Sequence, residues 1–265
     1  MKHPVISVES LSKRFRFERH KPRDAREALE YAFRSPLRGL RGPGSAINAD
    51  SPSVLWALRD VSFEVDEGEA LAIVGRNGAG KSVLLKILAR VTRPTSGRAV
   101  IRGRLAPLLE VGTGFHPELT GRENIYLNGT IFGMREKEVR SRLDEIIAFS
   151  KIEDFLDSPV KHYSDGMRMR LAFAVAAHLD REIFLLDEVF AVGDIGFQSK
   201  CIDRLRELRR KGRTILFVSH GDEGLEFCSR AILLDHGHMI ASGRPTEIDL
   251  RYRAMLGNAD LAPHE

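Results

Sequence analysis

Cysteine is nearly absent. The two present in 265 residues, Cys201 and Cys228, cannot form a disulfide framework and lack the spacing of a metal-thiolate site. Disulfides and zinc are not expected, and a reducing compartment fits. Long apolar runs are missing too. The opening residues, MKHPVISVES, have no signal-peptide core, and the longest apolar patch, LAFAVAAHL at 171–179, is far shorter than the roughly 20 residues that span a bilayer. The chain itself is expected not to cross a membrane. What it does have is 43% hydrophobic residues, enough for a real core in one large or two small domains.

The net charge of +4 is unevenly spread. Residues 11–45 hold ten Lys or Arg against four Asp or Glu, a local balance of +6, so the remainder sums to −2. A basic segment of this kind is either a solvated helix face or a contact for a local anion such as a lipid headgroup or a nucleic acid.

VISVESLSKRFRF and VSFEV (61–65) read as strands. Between them RDAREALEYAFR places Ala25, Ala28, Leu29, Ala32 and Phe33 on one helical face, with Asp24 and Glu27 spaced as a capping box. Pro, Gly and Ser then break regular structure, so 18–54 reads as an insertion into an early β-region. From residue 69, EALAIVG, EIFLLDE, TILFVSH and RAILLDHG have the continuous apolar character of buried parallel strands. An α/β fold is expected, with a core of 1–112 and 180–245, a mostly helical subdomain at 113–179, and a C-terminal tail at 246–265.

GRNGAGKS, Gly75–Ser82, fits the phosphate-loop pattern G-x-x-x-x-G-K-[ST] and stands between the strand ALAIV and the helix VLLKILARV, as its mechanism requires. Lys81 would reach the terminal phosphates, and the Ser82 hydroxyl would ligate magnesium. After the strand IFLL, Asp187 can hold the magnesium shell and Glu188 can polarise an attacking water; without the loop, an Asp-Glu pair there would read as a helix cap. His220 closes TILFVSH, at the end of a strand that faces the ligand crevice of an open α/β sheet. Alone it would more often be a hydrogen-bonded structural histidine.

HYSDGMRMRLAFAVAAHL (162–179) reads as a helix with a bare start. Ser164 is a good N-cap and Gly166 strips the first turn of side chain, which makes a small donor site suited to phosphate.

Taken together these motifs, in this order, resemble the nucleotide-binding domain of an ABC (ATP-binding cassette) ATPase, over nearly the whole chain apart from 18–54 and the tail. The resemblance implies a P-loop NTPase core with an antiparallel β-region and a helical subdomain. Its nucleotide-binding set is Phe15, stacking on adenine, with Gly75, Asn77, Gly78, Ala79, Gly80, Lys81, Ser82 and Val83. Trp56 competes with Phe15 as the stacking platform, and a strand phenylalanine also suits the core. Glu188 and His220 become catalytic, Asp194 the D-loop aspartate, and Ser82, Glu110 and Asp187 the magnesium ligands. Ser164, Asp165, Gly166 and Met167 form the signature, which caps the ATP held by a second copy. Two departures stand out: Asp165 and Met167 replace a glycine and a glutamine, and Glu110 occupies the usual place of the Q-loop glutamine. A carboxylate at 165 is unfavourable near phosphate unless it points away or pairs with Arg168.

LLEVGTGFHPELTGREN and YSDGMRMRLAFAVA, with the early insertion, are similar to the ATPase subunits of exporters of lipid-linked polysaccharide: O-antigen, capsule or teichoic acid. That similarity implies ATP and Mg2+ as cofactors and a homodimer at the cytoplasmic face of the inner membrane. Integral-membrane permease subunits would dock at the helical subdomain near VGTGFHPEL, and the cargo would be lipid-linked polysaccharide. Some such proteins carry a further carbohydrate-binding domain, which is not expected here. Nucleic acid is not expected as a partner. The alternatives are a soluble ABC ATPase acting on nucleic acid or the ribosome, an exporter of another cargo, or a small phosphoryl-transfer enzyme. That last would need neither the signature helix nor His220.

Overall fold

Residues 70–74, 183–187, 214–219 and 230–235 form neighbouring strands, and their apolar side chains divide by parity between two cores. Ala70, Ala72, Val74, Phe184, Leu186, Ile215, Phe217, Ala231 and Leu233 enter one cluster, while Leu71, Ile73, Ile183, Leu185, Leu216, Val218, Ile232 and Leu234 enter the other. Strand side chains alternate across the sheet, so a run that is apolar throughout must be covered on both faces.

The computed structural model describes residues 4–17, 53–109, 114–187, 194–219 and 224–259. The strands are β1 Pro4–Phe17, β2 Ser53–Asp66, β3 Ala70–Val74, β4 Ser96–Ile101, β5 Leu105–Leu108, β6 Ile183–Asp187, β7 Thr214–Ser219, β8 Arg230–Asp235 and β9 His238–Gly243. The helices are α1 Lys81–Leu88, α2 Gly121–Ile131, α3 Glu136–Ser150, α4 Asp165–Ala177, α5 Ile195–Arg210 and α6 Pro245–Ala259. The main sheet runs β5-β6-β7-β3-β8-β9, parallel except for β9. A second, antiparallel sheet runs β2-β1-β4.

The antiparallel sheet and α1 cover one face of the main sheet, with Ile6, Val8, Leu58, Val61, Leu84 and Leu88 in a shared core. Helices α2–α6 contribute to the core on the other face. The β1–β2 pairing continues to Phe17 opposite Ser53, so residues 18–52 connect the open ends of a hairpin. Those 35 positions, which hold the expected amphipathic helix, lie outside the described residues.

Candidate functional site

β3 lies in the middle of the main sheet, between β7 and β8, and the chain passes from Val74 directly into the loop that precedes α1. Two glycines there are required by close approach. A Cβ on Gly75 would stand 2.3 Å from the Leu234 carbonyl oxygen, and one on Gly80 would stand 2.3 Å from that of Ala57. Gly80 also has φ 103°, a conformation that side chains resist. The loop is tied to its surroundings where Gly237 donates its N–H to the Ala79 carbonyl at 3.1 Å, and Arg59 donates to that of Gly237 at 2.8 Å.

Lys81 is buried at 4% exposure. Its ammonium donates to the carbonyls of Gly75 at 2.6 Å and Arg76 at 3.0 Å. These contacts offset part of the cost of burying the charge and hold it inside the loop. The first turn of α1 has no acidic residue and no side-chain cap, so nothing in the helix neutralises its positive pole. A cradle of this shape and sign suits a polyphosphate.

A cavity of about 490 Å³ joins the loop to the β1–β2 hairpin; Asn77, Gly78, Ala79, Gly80, Lys81, Ser82 and Val83 line one side, and Phe15, Leu55, Trp56 and Ala57 the other. The structure therefore brings Phe15 to the phosphate loop, together with its competitor Trp56. Phe15 is 37% exposed and has the Lys13 ammonium 5.0 Å from its ring centre. Trp56 is half-buried and carries two guanidiniums, Arg14 at 5.7 Å and Arg59 at 5.4 Å.

Asp187 ends β6 opposite Val218 of β7, and the next residue of β7, Ser219, pairs with Val74 just before the loop. The carboxylate thus belongs to the same sheet edge as the loop, with one strand between. Ser82 and Asp187 are hard oxygen donors of the kind magnesium takes. Glu110, Glu188 and His220 lie outside the described residues.

Ser164 caps α4, its hydroxyl accepting from the Met167 N–H at 3.2 Å. Among the described residues a Cβ on Gly166 would meet nothing nearer than the Ser164 hydroxyl at 3.9 Å, so their packing does not demand a glycine there. Asp165 forms an ion pair with Arg168, one of the two arrangements that would make its charge tolerable beside phosphate. Met167 packs against the core. Asp194 caps α5 by accepting from the Phe197 N–H at 2.8 Å, and it also pairs with Arg170 of α4. The Phe197 N–H holds its carboxyl below the ordinary aspartate range, and Arg170 adds to the effect. Sequence reasoning missed Arg170, whose partner lies 24 positions away.

A family model described as ABC transporter matches residues 58–191. Over 252 residues the chain is 42% identical to the O-antigen export system ATP-binding protein RfbB of Klebsiella pneumoniae, covering 95% of this chain and 98% of that protein. It is 45% identical over 225 residues to the protein of the same name from Myxococcus xanthus, covering 84% of this chain but only 51% of that longer protein. Its fold is similar to that of a dimeric ATP-binding cassette in a post-hydrolysis state bound to ADP and Pi, with a TM-score of 0.69 and 21% identity over 91% of this chain and 98% of that one. The chain belongs to the ABC transporter family and is one of its ATPase cassettes.

Proposed function

We propose that this cassette is the ATP-binding and hydrolysing subunit of an exporter that moves a lipid-linked, O-antigen-like polysaccharide across the inner membrane. It works at the cytoplasmic face as a homodimer on integral-membrane permease subunits. The observation that carries the reading is the near end-to-end likeness to a protein named for O-antigen export. No helix among the described residues is long and apolar enough to cross a membrane, which is compatible with a separate permease.

Bound magnesium-ATP would supply the scissile phosphoanhydride and neutralise charge on its terminal phosphates. Residues 75–83 would hold the phosphates through backbone donors and the Lys81 ammonium, with Phe15 against the adenine. Ser82, Asp187 and Glu110 would hold the metal. Glu188 would take a proton from the attacking water, and His220 would orient that water or the terminal phosphate. Ser164 and Gly166 of a second copy would cap the same phosphate. The two cassettes would then close because nucleotide binds the closed arrangement better than the open one. In this scheme residues 1–112 and 180–245 act as the core, 113–179 as the moving helical unit and 246–265 as a tail. The basic segment 18–54 would lie near the membrane surface or the pyrophosphate of the lipid carrier, and unchanged transport and membrane association after reversing Arg34, Arg38 and Arg41 to Glu would remove that placement.

The test is export itself. In cells whose own gene is replaced by Glu188→Gln, surface polysaccharide should disappear while lipid-linked polymer accumulates inside. Normal surface polysaccharide in that strain would overturn the assignment.

A further inference from the structure

Helices α2, α3 and α4 have no basic residue in their last turns, although their carbonyl ends carry partial negative charge. Cations from elsewhere in the chain supply what is missing. Arg181 donates to the Phe132 carbonyl after α2 at 2.5 Å. Lys200 of α5 donates to the Ala148 and Phe149 carbonyls at the end of α3, both at 3.1 Å. Arg204 of α5 donates through Nε to the Ala177 carbonyl at 3.0 Å, and Arg142 of α3 donates to the His178 carbonyl at 2.5 Å, so the end of α4 is held from two sides.

Between α3 and α5 lies a cleft of about 800 Å³ lined by three of these cations, Arg142, Lys200 and Arg204, together with Lys211. Its cations already have partners. Arg142, Lys200 and Arg204 each hold helix-end carbonyls, while Lys211 pairs with Glu207 at 2.5 Å and Arg204 with the same carboxylate at 2.6 Å. The cleft is therefore a joint between helices, its cations tying helix ends together.

α4 is fastened to α5 at a second point, where Arg170 pairs with Asp194. Along α4 the two fastenings are seven residues apart, about 10 Å of helix. Along α5 they are ten residues apart, about 15 Å. The space between is filled by aromatic contacts, with Phe149 and Phe173 ring centres at 6.0 Å, Phe149 and Phe197 at 5.8 Å, and Phe173 and Phe197 at 6.2 Å. Two fastenings across a packed layer fix the direction of α4, where one would leave it free to pivot. The α4 terminus opposite the Arg204 clasp carries Ser164.

We infer that Arg204, with Arg142, is a positioning residue for the reaction: it clamps the carbonyl end of α4 so that Ser164 is presented correctly to nucleotide held by the second copy. This rests on the shared-site reading above. Arg204 is not among the described residues that line the nucleotide cavity, so ATP binding by a single copy should not need it.

Arg204→Met keeps most of the side-chain stem and loses the charge-assisted hydrogen bond; Arg204→Lys keeps the charge; Arg142→Met removes the second donor. Each is measured in the full chain for affinity toward a fluorescent ATP analogue as monomer, for ATP-driven dimerisation in a Glu188→Gln background, and for kcat and KM with the permease. The expected result for both Met variants is monomer affinity within about twofold of the parent, with dimer affinity and kcat lower by about tenfold, the scale of one charged hydrogen bond. Arg204→Lys should recover most of the loss at an unchanged KM. Met variants that dimerise and turn over like the parent would overturn the inference. So would an equal loss of monomer binding and dimerisation that Lys does not rescue, because that pattern is general destabilisation. If the Glu188→Gln parent does not dimerise with ATP even in membranes that contain the permease, the shared-site reading itself fails, and the inference with it.

Discussion

Arg170 of α4 pairs with Asp194, the residue that caps α5, so the helix that begins at Ser164 is joined directly to the helix that follows the Asp187 strand. The join is ionic, and its pH dependence can be signed. The Asp194 carboxyl lies below the ordinary aspartate value of 3.8, so its contribution is fully present above that value and is lost as pH falls through the lowered one. Asp194→Asn keeps a capping oxygen and removes the charge. Its melting midpoint should lie below that of the parent at pH 6, and the gap should close as pH drops below about 3.8. A gap independent of pH would mean that the ionic join contributes nothing.

Lys81→Met should leave the circular dichroism spectrum unchanged and weaken ATP binding by at least about tenfold, since the cradle loses its one buried ammonium. Equilibrium titration with a fluorescent ATP analogue measures this. An affinity equal to the parent's would place the phosphates elsewhere.

The cap and the carboxylate at the start of α4 separate experimentally. Ser164→Ala should cost about 1 kcal/mol of stability in chemical denaturation, the usual value of an N-cap hydroxyl. The Asp165 side chain is 91% exposed in its pair with Arg168, so Asp165→Asn should leave stability nearly unchanged. Removing its negative charge should strengthen ATP-dependent dimerisation by about threefold at low salt, and less at high salt. Weaker dimerisation in Asp165→Asn would mean that the carboxylate makes a contact of its own.

The geometry of the loop and of the Ser164 cap was legible because it is local. A glycine-rich loop between an apolar strand and a helix states its geometry within eight residues, and a serine N-cap does so within four. The parallel strands were legible because two-sided burial leaves them apolar throughout. Three other strands were not. β4, SGRAVI, and β9, HMIASG, are only partly buried and carry polar residues, while β5, LAPL, contains a proline that an edge strand tolerates. The β8–β9 hairpin turns on His236 and Gly237, both with positive φ, a two-residue turn more readily recognised when it reads Asn-Gly. Arg142, Lys200 and Arg204 were illegible for another reason: cations on amphipathic helices look like solvated surface, and their carbonyl partners lie 27 to 52 positions away.

Both cysteines are free and buried, and burial pushes the thiols of Cys201 and Cys228 up to about 12. A thiol that ionises so high is a poor nucleophile at neutral pH. Titration with a disulfide reagent at pH 8 should find no fast-reacting thiol in the native protein and two after unfolding. A fast thiol before unfolding would show that α5 or the segment around Cys228 opens readily.

Whether two copies share the nucleotide site is decided by the oligomeric state of Glu188→Gln in light scattering, with and without ATP and magnesium. A shared site requires a monomer without nucleotide, a dimer with it, and a return to monomer when Ser164→Arg is added. A dimer unaffected by Ser164→Arg, or a monomer under every condition including membranes that contain the permease, would contradict a nucleotide site shared between two copies.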